Sequence, residues 1–145
     1  MADELGVRGG RGNIPGRWLA VAAYVALIFT LSAQPGLTIP GTWEYRDKVA
    51  HILEYGGLGF LVWLAARYTW PTQKPLNRAI LVLLAISALG ACDERFQAGI
   101  PGRESSAYDW LADTTGALLA QLWGISRERP QSCARSAPVV SASQS

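Results

Sequence analysis

Residues 18–33 read WLAVAAYVALIFTLSA, from Trp18 to Ala33, and carry no charged side chain. A helix buried in a soluble bundle keeps a polar stripe at every third or fourth position, and this run has none. Working outward, the same texture returns three times. Val49 to Ala66 (VAHILEYGGLGFLVWLAA) holds only His51 and Glu54 as ionisable interruptions. Ala79 to Cys92 (AILVLLAISALGAC) again has no charge, and Tyr108 to Ser126 carries Asp109 and Asp113 near its start and none from Thr114 onward. A helix needs about 20 residues to cross about 30 Å of hydrocarbon, so each run must borrow flanking residues. Asn77 to Phe96 reaches that length only by including Asp93 and Glu94. The pattern predicts an all-α fold: an integral membrane bundle of four helices.

The charges between the runs set an orientation. Arg8, Arg11, Arg17, Arg67, Lys74, Arg78, Arg127, Arg129 and Arg135 fall on one side, Arg46, Lys48, Arg95 and Arg103 on the other. Nine of the 13 basic residues therefore share the side of both termini, while eight of the 11 acids lie at the opposite one. The positive-inside rule then places both termini in the cytoplasm of a multi-pass protein. Trp18, Trp70 and Trp123 fall near the inner interface by this reading, and Trp43 and Trp110 near the outer one. An Arg-bearing flank, an apolar core and small Ala33 also resemble a cleaved leader. Leu31, three residues before such a cut, does not suit one, and removal leaves an odd number of spans.

The chain divides into a polar tail over 1–16, a membrane domain over 17–125 and a second tail over 126–145, both tails reading as disordered. A net charge of +2 with no Lys/Arg-rich run argues against nucleic acid as a partner. Cys92 at the outer end of a span and Cys133 in a tail fall on opposite sides of the bilayer, so no disulfide framework follows. No nucleotide loop, haem motif or flavin fingerprint is present.

What remains is polar chemistry where polar chemistry is expensive. Asp47, His51, Glu54 and Tyr55 are spaced to share one helical face. DERFQ sets Asp93 and Gln97 four apart with Glu94 beside them, and the Gly/Pro turn after it delivers Arg103. Asp109, Asp113 and Gly116 again share a face, where Gly116 permits close helix packing. In the topology above all three groups sit at the outer ends of their helices. Ionisable groups there are tolerated when paired and turned toward protein or water, so His51, Glu54, Asp93, Gln97, Arg103 and Asp109 are expected to form one network.

These residues resemble the VanZ-like family. The resemblance rests on R-D-K-x-x-H-x-x-x-Y-G-x-L over Arg46 to Leu58, on D-E-x-x-Q-x-x-x-P-G-R over Asp93 to Arg103, and on D-x-x-x-[ND]-x-x-G over Asp109 to Gly116. Ser32 and Gln34 match the family's Ser-x-Gln ending of the first span, and the similarity covers about residues 17 to 125. Asp113 stands where many members carry Asn, and Ala120 where a second Gly is common. The resemblance implies a small bacterial protein of the cytoplasmic membrane, in a family whose founding member is associated with low-level teicoplanin resistance. It implies a cell-envelope lipid, or a lipid-linked or antibiotic ligand, at the outer leaflet.

Three mechanisms fit these residues. The first is an enzyme in which His51 acts as acid or base, oriented by Asp47 or Glu54, with Arg103 holding a phosphate. Ser105 and Ser106 lie nearby, but no nucleophile has a recognisable setting. The second is a site in which Tyr55, Asp93, Glu94, Gln97, Arg103, Asp109 and Asp113 hold or sequester a ligand. The excess of acids favours a cationic one. The third is a non-catalytic structural protein whose polar rim locks the helices. No metal ligand is assigned and no cofactor is implied; a divalent ion on Asp47, His51, Glu54 and Asp93 is what the donor types would allow.

Overall fold

The computed structural model describes residues 13–35, 45–103 and 105–128. Four helices follow one another: α1 (Ile14–Ser32), α2 (Arg46–Thr69), α3 (Pro75–Gln97) and α4 (Ala107–Arg127). The expected all-helical bundle is what forms, and the helices of 19, 24, 23 and 21 residues recruit the polar flanks their apolar runs lacked. Residues 1–12 and 129–145, on which most of the two tails and Cys133 fall, lie outside the described residues, as does Trp43.

Local chemistry sets the ends. Asn13 caps α1 by accepting from the Gly16 amide at 3.1 Å, and a proline follows in its first turn. Pro75 opens α3, where a missing amide costs nothing. Ser106 caps α4 by accepting from the Tyr108 amide at 3.1 Å. Between α3 and α4 the chain reverses through Ile100-Pro101-Gly102-Arg103, closed by the Arg103 amide on the Ile100 carbonyl at 3.1 Å. Gly102 takes the positive φ of 77° that such a turn demands after proline.

The bundle is polar at its heart and apolar on its skin. Leu53 and Leu84 are 69% and 62% exposed, whereas Asp93 and Asp113 are 1% and 0% exposed. Leu19, Ile80, Leu111 and Leu119 continue that exposed apolar surface. Water would drive the opposite arrangement, since exposed leucine is the cost and buried carboxylate the larger one. Three helices, α1, α2 and α3, are long and apolar enough to cross a membrane. The fourth is lowered in hydropathy by Asp109, Asp113 and Gln121, all of which it buries against its neighbours.

Packing is uneven, and that unevenness positions the site. Helices α2 and α4 share the most extensive interface, and α1 touches α3 least. A Cβ on Gly116 would lie 2.9 Å from the Gly56 amide nitrogen and 3.0 Å from the Ile52 carbonyl carbon, so only glycine lets the two backbones meet. Tyr55, Leu58, Ile86, Ala117 and Ile28 form the apolar layer beneath.

At the end of the bundle bearing the α2–α3 connection, Arg78 is buried and forms an ion pair with Glu128. It also donates to the Trp70 carbonyl at 3.2 Å. Trp63 Nε1 donates to the same Glu128 at 2.9 Å, and Trp18 Nε1 donates to Thr69 Oγ1 at 2.9 Å. The Arg17 guanidinium lies over the Tyr68 ring at 3.6 Å. Arg78 and Glu128, read from sequence as loop and tail charges, are thus an ion pair joining α3 to α4, with Arg78 buried and Glu128 partly so.

Candidate functional site

The up-and-down order of the helices brings the end of α1, the start of α2, the end of α3 and the start of α4 to one end of the bundle. Asp93 is the centre of one half. Its Oδ2 accepts from Ser32 Oγ at 3.0 Å, Gln97 Nε2 at 2.9 Å and the Tyr55 hydroxyl at 3.4 Å. Gln97 Nε2 also donates to Ser32 Oγ at 3.2 Å, and Arg103 Nη2 donates to Gln97 Oε1 at 2.7 Å. These contacts tie α1, α2, α3 and the PGR turn to a single carboxylate.

His51 is the centre of the other half. Its Nδ1 lies 2.8 Å from Asp113 Oδ1, across the α2–α4 interface that Gly116 makes narrow. Asp113 also sits against Gly90 of α3, where an added Cβ would come 3.2 Å from Oδ2. Glu94 turns one oxygen to the Ser106 amide at 3.0 Å, so it caps α4 from α3. Lys48 forms ion pairs with Asp109 and, at 3.4 Å, with Asp47.

A cavity of about 340 Å³ opens beside His51, lined by Leu27, Ile28, Leu31 and Tyr24 of α1 and by Asp47, His51, Glu54 and Arg103, with Ser32. One wall is aliphatic and the other ionisable. Glu54 stands in the fields of His51, Asp93, Asp113 and Arg103.

The sequence-derived set is therefore brought to one end, in separate bonded groups rather than the single expected network. Asp93, Gln97, Arg103 and Tyr55 share the Asp93 network. His51 and Asp113 form a pair, Asp109 belongs with Lys48, and Asp47 is exposed. The carboxylate hydrogen-bonded to His51 is Asp113 of α4, rather than Asp47 or Glu54 of its own helix. Arg103 reaches Gln97 rather than closing on a carboxylate. Two participants carried no weight in the sequence. Lys48 reads there as an ordinary interfacial charge, and Ser32 signals only through the Ser-x-Gln match. Chemically, the His51–Asp113 pair holds an imidazole in one orientation at a cavity wall, ready to exchange a proton or to donate a lone pair.

Among curated proteins and among solved structures nothing matches this chain. A family model described as VanZ/LLP1 matches residues 14–125, which takes in all four helices except the last residues of α4. All the buried polar groups at the His51 end lie within that match, and the chain belongs to the VanZ/LLP1 family.

Proposed function

We propose that this membrane protein binds the polar head of an envelope lipid, or of a lipid-linked molecule, in the cavity between α1 and α2. The observation that carries the reading is the cavity itself, aliphatic on the α1 side and ionisable on the α2 side. Its volume of about 340 Å³ suits a head group rather than a whole lipid. Asp47 and Glu54 attract a cation and Arg103 an anion, so the favoured head is zwitterionic, with an amine toward the acids and a phosphate toward the guanidinium. Leu27, Ile28 and Leu31 then meet the first carbons of the tail.

The reading includes a location. Arg17, Arg67, Lys74, Arg78 and Arg127 gather at the end away from the cavity, with Trp18, Trp63, Trp70 and Trp123 around them. A basic end belled with tryptophan is what the cytoplasmic side of an inner-membrane protein carries. All four helices then cross the bilayer, the termini are cytoplasmic, and the cavity faces the outer leaflet.

The test uses purified protein in detergent and acyl-labelled phosphatidylethanolamine as probe, with phosphatidylglycerol and diacylglycerol for comparison. Phosphatidylethanolamine should bind most tightly. Glu54→Gln and Arg103→Ala should each weaken it by about tenfold, the worth of one charge-assisted hydrogen bond, at unchanged helical content. Equal retention of all three lipids, or variants that bind like the parent, would refute the assignment.

A further inference from the structure

The His51 half of the site holds more acceptors than the described residues satisfy. Lys48 is taken by Asp109 and Asp47, and Arg103 by Gln97. Glu94 Oε1 and Asp113 Oδ2 are buried without a hydrogen-bond partner among the described residues, although both side chains are more than nine-tenths buried. A carboxylate oxygen left bare inside a protein is costly unless something positive meets it.

We propose that His51, Glu94 and Asp113 bind a divalent cation that accepts imidazole, Mn²⁺ or Zn²⁺. Each residue offers a donor atom, and the three atoms lie within 4.8 Å of one another. Ligands about 2.1 Å from a shared ion stand roughly 3 Å apart at right angles and roughly 4.2 Å apart when opposed, so small side-chain movements bring all three onto one ion. The 2.8 Å between His51 Nδ1 and Asp113 Oδ1 is the length of one such edge. Two carboxylates balance the charge of the ion, and a nitrogen donor beside them favours Mn²⁺ or Zn²⁺ over Mg²⁺, which prefers oxygen and keeps its waters. Asp47, His51 and Asp109 form a second trio of suitable donors, but Asp47 is exposed and Lys48 already neutralises Asp109. Access runs through the cavity, whose wall includes His51 together with Asp47 and Glu54.

His51 is the one histidine in the sequence, which makes the test sharp. The full chain, purified in detergent with a histidine-free tag and with no lipid added, is titrated with Mn²⁺ and free ion is read by electron paramagnetic resonance. One equivalent should bind, and electron spin-echo spectra should show nitrogen coupling from an imidazole. Zn²⁺ should displace the Mn²⁺. Asp113→Asn and Glu94→Gln, both near-isosteric, should weaken binding at least about tenfold, while Asp47→Asn should change it little. Wild-type protein that binds Mn²⁺ without nitrogen coupling, or fails to bind it, overturns the assignment even if the variants do not fold. So does equal binding by Asp113→Asn, or an Asp47→Asn loss as large as that of Glu94→Gln. The head-group reading is untouched by any of these results, since the ion is measured without lipid.

Discussion

Gly116→Ala places one methyl group where α2 and α4 touch, and the structure sets the size of the effect. The new Cβ would lie 2.9 Å from the Gly56 nitrogen and 3.0 Å from the Ile52 carbonyl carbon, and would overlap the Ile52 carbonyl oxygen. All three are backbone atoms, which have no rotamer to escape into. Restoring ordinary carbon contacts of about 3.5 Å moves the helices apart by roughly 1 Å. Overpacking of this kind costs about 1–3 kcal/mol, and a backbone-to-backbone clash belongs at the upper end. The same movement stretches His51–Asp113 from 2.8 Å beyond bonding range, one helical turn away. Losing a bond to a charged partner adds about 1.5 kcal/mol, while replacing glycine in a helix returns about 1 kcal/mol. The net loss is about 3 kcal/mol, a factor of roughly 150 in the folding equilibrium.

The assay is unfolding in mixed micelles of mild detergent and dodecyl sulfate, followed by tryptophan fluorescence. Gly57→Ala is the control within α2, because its Cβ meets the hydroxyl end of the Tyr24 side chain, which can swing away. It should cost about 1 kcal/mol, the bond from Tyr24 to the Glu54 carbonyl. Gly99→Ala, where the nearest atom is 3.4 Å away, should be almost silent. Gly116→Ala within about 0.5 kcal/mol of the parent, or less harmful than Gly57→Ala, would refute the claim that this contact sets the α2–α4 spacing.

Arg78→Ala should destabilise the bundle by about 3–5 kcal/mol in the same micelle titration, because it strands Glu128 beside Trp63. Glu128→Gln should cost less, since a neutral amide still accepts from Trp63, and a reversed order would contradict the pairing. For topology, in a Cys92→Ser, Cys133→Ser background, Tyr45→Cys should react with a membrane-impermeant maleimide added to intact cells and Gln73→Cys should not; labelling only at Gln73 inverts the assignment.

Much of the fold was legible because the bilayer imposes a simple code. Uncharged runs such as Trp18–Ala33 and Ala79–Cys92 announce helices by length alone, and the helices found there differ only in the polar flanks they enrol. Part of the buried polar set was legible too, since Asp93, Gln97 and Asp113 sit where a lipid-facing polar group is untenable. What sequence spacing cannot supply is the partner on another helix. Asp47 and Glu54 lie one turn from His51 in sequence, yet α2 turns Asp47 to the surface while Gly116 lets α4 carry Asp113 against the imidazole. Lys48 escaped notice for the same reason: its acid, Asp109, lies 61 residues away. Arg78 and Glu128 belong to a loop edge and a tail in sequence, and only the closing of α4 on α3 brings them together.

The polar end therefore need not be wholly a lock or wholly a site. Around Asp93, Ser32, Tyr55 and Gln97 converge on Oδ2 and Arg103 fixes Gln97 in turn, while Oδ1 is buried without a partner among the described residues. That half joins α1, otherwise the most loosely packed helix, to the rest of the bundle, so its density of bonds has a structural reason. Around His51 donors are scarcer still. Glu94 and Asp113 keep bare buried oxygens, the imidazole stands at a cavity wall, and neither lysine nor Arg103 donates to Asp113. The Asp93 half holds the helices at the spacing the His51 half keeps, and the bare oxygens of Glu94 and Asp113 mark where the proposed cation would complete the protein.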